Sequence, residues 1–294
     1  MDLSIIILSY NTKDITARCI KHVYSAMSFC QKKLNNKIEV IVIDNDSKDG
    51  SAQMIKQDFP WVKLNALKEN TGFSKGNNIG MKQAKNPYIL LLNSDVYLQD
   101  DSLYKALAYF RVNLNCDVLG PRLNYASGKL QFSSGNLPNP INIIPWIFGL
   151  KFLSFHTQKK AFFSKAHKTG WVMGAFFMLK KKVFEKTDGF DENLFMHMEE
   201  IEWCKRIKDL GFKIWYVPQV VVIHLHGAST NFDLSSSFLN ELSGIKYYLL
   251  KHYKALYFPL KVFLLLGLLL RSTAFFVLRK KDRAEIYWKG LTLV

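Results

Sequence analysis

The stretch Ile89–Val96, reading Ile-Leu-Leu-Leu-Asn-Ser-Asp-Val, limits what this chain can fold into more than any other. Four consecutive apolar residues stopped by a polar cluster predict a buried parallel strand whose carboxyl end opens into a crevice. Open α/β sheets bind their ligands outside that end. Asp95 therefore stands where a carboxylate can hold a hard cation against phosphates. Asn93, Ser94 and Asp95 also have the chemistry of a plain turn, the better-supported reading on this stretch alone.

The residues on either side of it build the case for a larger sheet. Leu3–Ser9 is a β-branched run of strand length, with Asn11 or Thr12 placed to cap a helix from about Asp14 to Phe29. Ile38–Ile43 is a second strand, Val62–Ala66 a third, and a helix spans about Ser74 to Ala84. The Ile89–Leu92 strand closes the alternation before a helix from about Asp100 to Asn113. Such spacing predicts an α/β fold with a Rossmann-like, mostly parallel sheet flanked by helices. Neither Gly-x-Gly-x-x-Gly nor Gly-x-x-x-x-Gly-Lys follows the first strand, which disfavours a dinucleotide fold and a P-loop NTPase.

Three further stretches carry polar residues at element ends. Asp44, Asp46 and Asp49 follow the second strand, where an acidic residue commonly takes ribose hydroxyls. Asn70–Gly80 is rich in glycine and amides: Gly72 permits a tight turn, and Gly76 and Gly80 permit close packing on a neighbour or ligand. The helix start near Ser74 either faces an anion or merely follows a glycine-rich turn. Between about Asn124 and Lys168 the alternation stops. Asn139–Leu150 there is an apolar, proline-punctuated loop that covers an acceptor cleft, touches a membrane or folds in.

Gly170–Leu179 resumes a strand pattern. A helix then starts with Glu199, Glu200 and Glu202, carries its basic residues later and stops at Gly211, as the macrodipole favours. Two strands, Phe212–Val217 and Gln219–Ile223, end in His224-Leu225-His226.

Composition adds partners rather than fold. A net charge of +16 on 294 residues suits nucleic acid, a membrane surface or a phosphorylated substrate. Four well-separated cysteines argue against structural zinc and a disulfide framework, and the start of the chain lacks a signal-peptide pattern, so a reducing cytosol is expected. After about Ser235 the character changes. Phe238, Leu242, Ile245 and Leu249 recur at helical spacing, and Val262–Leu270 is an uncharged run between Lys251/Lys254 and Arg279-Lys280-Lys281. It is shorter than the ~20 residues of a bilayer span. A helix lying in an anionic membrane interface is expected, although snorkelling of Lys261 and Arg271 leaves a tilted span open. Folding back onto the first domain, or a homodimer contact, is the alternative. The basic flanks favour a membrane over nucleic acid. The division expected is 1–234 for the α/β domain and 235–294 for a helical, membrane-associating tail.

In this order, the stretches Ser4–Asn11, Val42–Ser51, Asn70–Gly80, Leu91–Val96, Trp171–Gly174, Gly189–Glu202 and His224–Ser229 resemble the family 2 glycosyltransferases, particularly their bacterial rhamnosyltransferase-like branch. The resemblance implies a GT-A fold and inverting transfer from a nucleotide-diphosphate sugar with Mg²⁺ or Mn²⁺. It also implies a saccharide acceptor, here lipid-linked, and peripheral attachment to the cytoplasmic face of the cell membrane. Position by position it makes Asp44 the base or ribose contact, helped by Tyr10, Asn45 and Asp49, and puts Asn70, Lys75 and Asn77 on the nucleotide-sugar side. Asn93-Ser94-Asp95 matches the metal-binding Asp-x-Asp motif with its first Asp replaced, and His224 matches a downstream ligand. Glu200 takes the base position with Glu199 beside it. A GT-A-like nucleotidyltransferase and a non-catalytic binding module are the rival readings. The first lacks its glycine-rich activating loop at Ser9-Tyr10-Asn11; the second leaves Asp95, His224 and Glu200 unexplained.

Overall fold

The computed structural model describes every residue except 151–152, 156–159, 226 and 228–233. The first half of the chain builds β1 (Leu3–Ser9), α1 (Lys13–Leu34), β2 (Ile38–Asp44), α2 (Ser51–Asp58), β3 (Lys63–Ala66), α3 (Gly72–Gln83), β4 (Tyr88–Asn93), β5 (Val96–Leu98), α4 (Ser102–Val112) and β6 (Val118–Asn124). Short pieces follow: β7 (Leu130–Gln131), β8 (Ser134–Gly135), α5 (Pro140–Ile147), β9 (His167–Lys168), β10 (Trp171–Val172) and β11 (Phe176–Lys180). Then come α6 (Lys181–Thr187), α7 (Glu199–Asp209), β12 (Ile214–His224), α8 (Leu234–His252), α9 (Lys254–Val277) and α10 (Lys281–Gly290).

The main sheet runs β3-β2-β1-β4-β11-β6-β12-β5, with β7 added beside β6 and β9 beside β12. Its first four strands are parallel, as the β-branched and leucine runs predict, because buried parallel strands are apolar on both faces. Ile89–Leu92, the last strand of the alternation along the chain, lies inside the sheet. β4 is an interior strand, flanked by β1 on one side and by antiparallel β11 on the other. Gly170–Leu179 is split: β10 pairs with β8 in a separate ribbon, and only β11 joins the main sheet. The two strands expected over 212–223 are one, with its register shifting between Val217 and Val221. Pro218, which has no N–H to give a ladder, sits inside that shift.

Helices cover both faces. On α3, a side chain at Gly76 would meet Leu8 Cδ1 at 2.5 Å and one at Gly80 would meet Ile6 Cγ2 at 2.4 Å. Those glycines serve close packing on β1, not a ligand. The hydroxyl of Thr12 makes no cap to α1; the backbone N–H of Lys13 donates instead to Asp49 Oδ2 at 2.8 Å. The expected loop over 139–150 is largely helical. Asn139 and Asn142 form a reciprocal capping box around Pro140, and Ile143, Trp146 and Ile147 are buried. Of the three roles open to that segment, it takes the folded-in one.

The C-terminal helices fold back on the α/β domain. Leu242, Ile245, Tyr248 and Leu249 of α8 and Leu260, Leu264 and Leu268 of α9 share one apolar cluster with Phe177, Trp203 and Ile207. Arg271 does not snorkel outward. Its guanidinium lies 4.1 Å from the Tyr287 ring centroid and 5.7 Å from that of Phe238. Lys251, expected to flank the membrane face, is instead ion-paired with Asp191 and Glu202. The outer side of α9 is another matter: Val262, Phe263, Leu266, Leu269, Leu270, Phe276 and Val277 are exposed. By length and composition alone this helix could cross a membrane.

Candidate active site

The carboxyl ends of the central strands open into a cavity of about 380 Å³. Tyr10 beyond β1, Asn45 beyond β2, Asn93 and Asp95 beyond β4, and His224 at the end of β12 all line it. Glu199 and Glu200, at the start of α7, line it as well. A volume of a few hundred Å³ suits a small ligand.

Asp95 and His224 are brought together by strand pairing. β5 runs antiparallel to the end of β12, so His224 pairs with Val96 and the Leu225 N–H donates to the Asp95 carbonyl at 3.0 Å. His224 Nε2 then lies 3.4 Å from Asp95 Oδ1, with both side chains almost fully buried. His224 Nδ1 is 2.9 Å from Gln131 Oε1. Gln131 thereby orients the ring so that Nε2 is the nitrogen turned toward Asp95. Among the described residues no group of three or more His, Cys, Asp or Glu side chains could hold a metal. Two donors still fit Mg²⁺ or Mn²⁺, which commonly take one or two protein ligands and fill their shells with phosphate oxygens and water. A carboxylate and an imidazole buried together at a strand-end cavity supply that donor set.

The remaining nucleotide-side candidates divide. Asn45 Nδ2 donates to Asn70 Oδ1 at 2.8 Å and to the Gly72 carbonyl at 3.2 Å, while its Oδ1 accepts from the Thr71 N–H at 2.9 Å. Asn70 Oδ1 also accepts from the Gly72 N–H at 2.9 Å. This pair ties the loop after β2 to the start of α3, and both residues line the cavity. Asp44 is buried; its Oδ2 accepts from the Ser47 N–H at 3.0 Å, and its Oδ1 has no hydrogen-bond partner. An unsatisfied buried carboxylate oxygen is costly, and a ligand hydroxyl would relieve it. Asp44, Asp49, Lys75 and Asn77 are not among the residues that line the cavity. Asp49 spends its oxygens on Lys13 and Ser51, Lys75 is exposed, and buried Asn77 donates to the Phe73 carbonyl.

Glu199 and Glu200 enter the cavity through an unusual turn. His197 (φ 71°) and Met198 (φ 70°) are consecutive left-handed residues, and they swing the start of α7 toward the strand ends. Gly174, on the loop between β10 and β11, faces Glu200: an added Cβ would stand 3.8 Å from its Cβ. Glu199 is the more buried of the two. Burial, reinforced by the charge of Glu200, raises its carboxyl well above the ordinary range. The pair therefore offers one carboxyl that holds its proton more tightly and one more open to the cavity.

Sequence reasoning missed Gln131, which sits on a two-residue strand with nothing local to mark it. It also missed Ser236, Ser237 and Asn240 of α8, which line the cavity from the segment read as a membrane tail. The cluster of side-chain hydroxyls in which Thr12 Oγ1 lies 2.9 Å from that of Thr16 and 3.4 Å from Ser94 Oγ had no signal either. His226 and Ser229 lie outside the described residues.

Comparison with known proteins points the same way. Residues 4–188 match the family described as glycosyl transferase family 2. A Mycobacterium tuberculosis protein named N-acetylglucosaminyl-diphospho-decaprenol L-rhamnosyltransferase is 26% identical over 216 residues, 68% of this chain and 70% of its own length. A Pyrobaculum calidifontis mannosyltransferase, PcManGT, solved with GDP-Man and Mn²⁺, superposes with a TM-score of 0.60 at 13% identity, covering 99% of this chain and 86% of that one. S. aureus TarS 1-349 with UDP-GlcNAc gives a TM-score of 0.57 at 17% identity, covering 85% and 67%. The chain spans 40% of another TarS chain. At these identities the two structures establish the shared fold.

Proposed function

The chain belongs to glycosyl transferase family 2, and from that premise we propose that it is an inverting, metal-dependent hexosyltransferase. It moves a rhamnose-like or other hexose from a nucleotide-diphosphate sugar to a saccharide acceptor in cell-surface polysaccharide synthesis. One observation carries the reading: a single cavity holds the Asp95–His224 pair and the Glu199–Glu200 pair. Transfer to a hydroxyl needs both a cation for the departing diphosphate and a base for the incoming oxygen.

Tyr10, Asn45 and Asn70, all from the cavity lining, hold the nucleotide side. Asp95 and His224 would hold a Mg²⁺ or Mn²⁺ ion, which would neutralise the charge of the leaving diphosphate. Glu200 accepts the proton of the acceptor hydroxyl as its oxygen bonds to the anomeric carbon and the bond from that carbon to the diphosphate breaks. Such a base contributes roughly 10²–10⁴-fold. Glu199 beside it, whose proton burial holds more tightly, lessens the competing negative charge. A direct displacement of this kind inverts the anomeric centre.

The acceptor is a lipid-linked saccharide, and the protein sits peripherally on the cytoplasmic face of the membrane. The exposed apolar side of α9 supports this, since a helix covered on one side by protein would ordinarily present polar residues on the other. Lys254, Arg279, Lys280 and Lys281 flank it and are exposed. The test of the activity is a screen of nucleotide-diphosphate sugars for thermal stabilisation in Mn²⁺ and for hydrolysis. A ligand at 100 times its Kd adds about 2.7 kcal/mol of stability. Absence of any stabilisation or turnover across uridine, thymidine and guanosine diphosphate sugars overturns the reading.

A further inference from the structure

We infer that Lys251 and His252 of α8 are positioning residues for the transfer: by closing on Glu202 they fix the first turn of α7 and, with it, the base. This inference rests on the reading of Glu200 as that base.

Glu202 lies two residues after Glu200, and its side chain is fully buried. Arg206, one helical turn on, donates through Nε to Glu202 Oε1 at 3.0 Å and Oε2 at 2.9 Å. Arg206 is also bound to the Thr187 and Gly189 carbonyls, so α7 is tied to the turn before it. The other ligands of Glu202 come from the C-terminal helices: Lys251 Nζ at 2.8 Å and His252 Nε2 at 3.1 Å, both on Oε1. Lys251 reaches Asp191 Oδ2 as well, at 2.5 Å, and the Tyr247 hydroxyl donates to the same oxygen at 2.7 Å. Three pieces of backbone thus meet at two buried or half-buried carboxylates.

α8 grips the same segment at a second point. An added Cβ at Gly244 would stand 2.8 Å from Met198 Cβ and 3.2 Å from the His197 carbonyl oxygen. Gly244 and Lys251 lie two turns apart on one face of α8. One end of the 197–202 segment is therefore held by contact at Gly244 and the other by the ion cluster at Glu202. Apolar packing of α8 alone would be non-directional. Charge-assisted hydrogen bonds specify an orientation, which a base aimed at a hydroxyl requires.

The experiment uses the full chain with whichever nucleotide-diphosphate sugar it turns over from the uridine, thymidine and guanosine panel. Lys251→Met is expected to lower kcat ~10–100-fold while leaving the donor KM within about twofold, and Lys251→Arg to restore most of it. His252→Leu is the second variant if Lys251→Met does not fold. Amide hydrogen exchange over residues 197–202 should quicken in the variant, while exchange in β1, β2 and β4 stays unchanged. Unchanged kcat, or unchanged exchange at 197–202, overturns the proposal. So does a fall in kcat matched by an equal loss of donor affinity. If the wild-type protein transfers no sugar, the base reading fails on its own. The exchange measurement then decides whether Lys251 orders the segment at all.

Discussion

His224 Nε2 and Asp95 Oδ1 lie 3.4 Å apart because β5 is zipped antiparallel to the last residues of β12. Neither residue is near the other in the chain, and each sits at the end of an element whose far side is packed core. The pairing makes the two side chains one electrostatic unit. Anything that binds one will be felt by the other.

If that unit holds the cation, Asp95→Ala and His224→Ala each weaken Mn²⁺-dependent binding of the donor, read by calorimetry with and without metal. Gln131→Leu, which removes only the acceptor at His224 Nδ1, should cost about tenfold in metal affinity. Undiminished activity in excess chelator would remove both residues from the metal assignment.

Glu200→Gln should keep donor binding and abolish transfer, whereas Glu199→Gln should retain much of it, because an amide copies a carboxyl that holds its proton tightly. If the order is reversed, the two roles are exchanged. The pair also makes a stability prediction. Glu199 has its folded pKa raised above 4.5 by burial and then by Glu200. The folded state therefore binds the proton more tightly than the unfolded chain. Relative stability is greatest below 4.5 and is lost as pH rises through the raised value. Glu199→Gln should accordingly raise the Tm at pH 8 and leave it nearly unchanged at pH 4.

How far the sequence could be read depends on where the information is local. Strands β1, β2 and β4 are marked by their own apolar runs; Tyr10, Asn45, Asn93 and Asp95 beyond their ends line the cavity, whereas Asp44 and Asp49 do not. The partner of β4 was not legible. β11 returns antiparallel after an irregular insertion, and nothing in Phe176–Lys180 fixes its direction. Asn139–Leu150 reads as a loop because Pro140 and Pro145 punctuate it, yet Pro140 occupies the first turn, where no N–H is needed. Lys251 and Arg271 mislead for one reason. A basic residue beside an apolar run reads as solvated, and only tertiary contacts reveal the buried carboxylate and the aromatic rings that receive them.

Glu202 gives an acid-side prediction of opposite sign to that of Glu199. Burial opposes its ionisation, but hydrogen bonds from His252, Arg206 and Lys251, with the charge of Arg206, outweigh it and hold its pKa at about 2. Because the folded value is depressed, this stabilisation is present above 4.5 and is lost as pH falls toward about 2. Glu202→Gln should cost about 3 kcal/mol at pH 7, the low end for breaking a buried ion pair because Lys251 is partly solvated. The deficit should shrink steadily in denaturant titrations carried down to pH 2.

The last prediction separates the two faces of α9. Leu260, Leu264 and Leu268 point into the shared core, so removing the tail would strip buried surface and confuse unfolding with loss of membrane binding. Leu266 and Leu270 lie on the outer side and are 46% and 58% exposed. The double variant Leu266→Glu, Leu270→Glu should therefore fold with a Tm close to that of the wild type. If the outer face lies in a lipid interface, the wild type floats with anionic vesicles at low salt and the variant stays at the bottom of the gradient. Exposed basic residues such as Lys254, Lys280 and Lys281 each add about 1 kcal/mol near an anionic surface, so binding should weaken as salt is raised. Neutral phosphatidylcholine vesicles should hold the wild type far less well. Flotation of the variant as complete as that of the wild type would show that the apolar stripe does not touch lipid. A wild type that ignores anionic vesicles at low salt but elutes as a dimer, with the variant monomeric, would assign the stripe to a second copy of the chain.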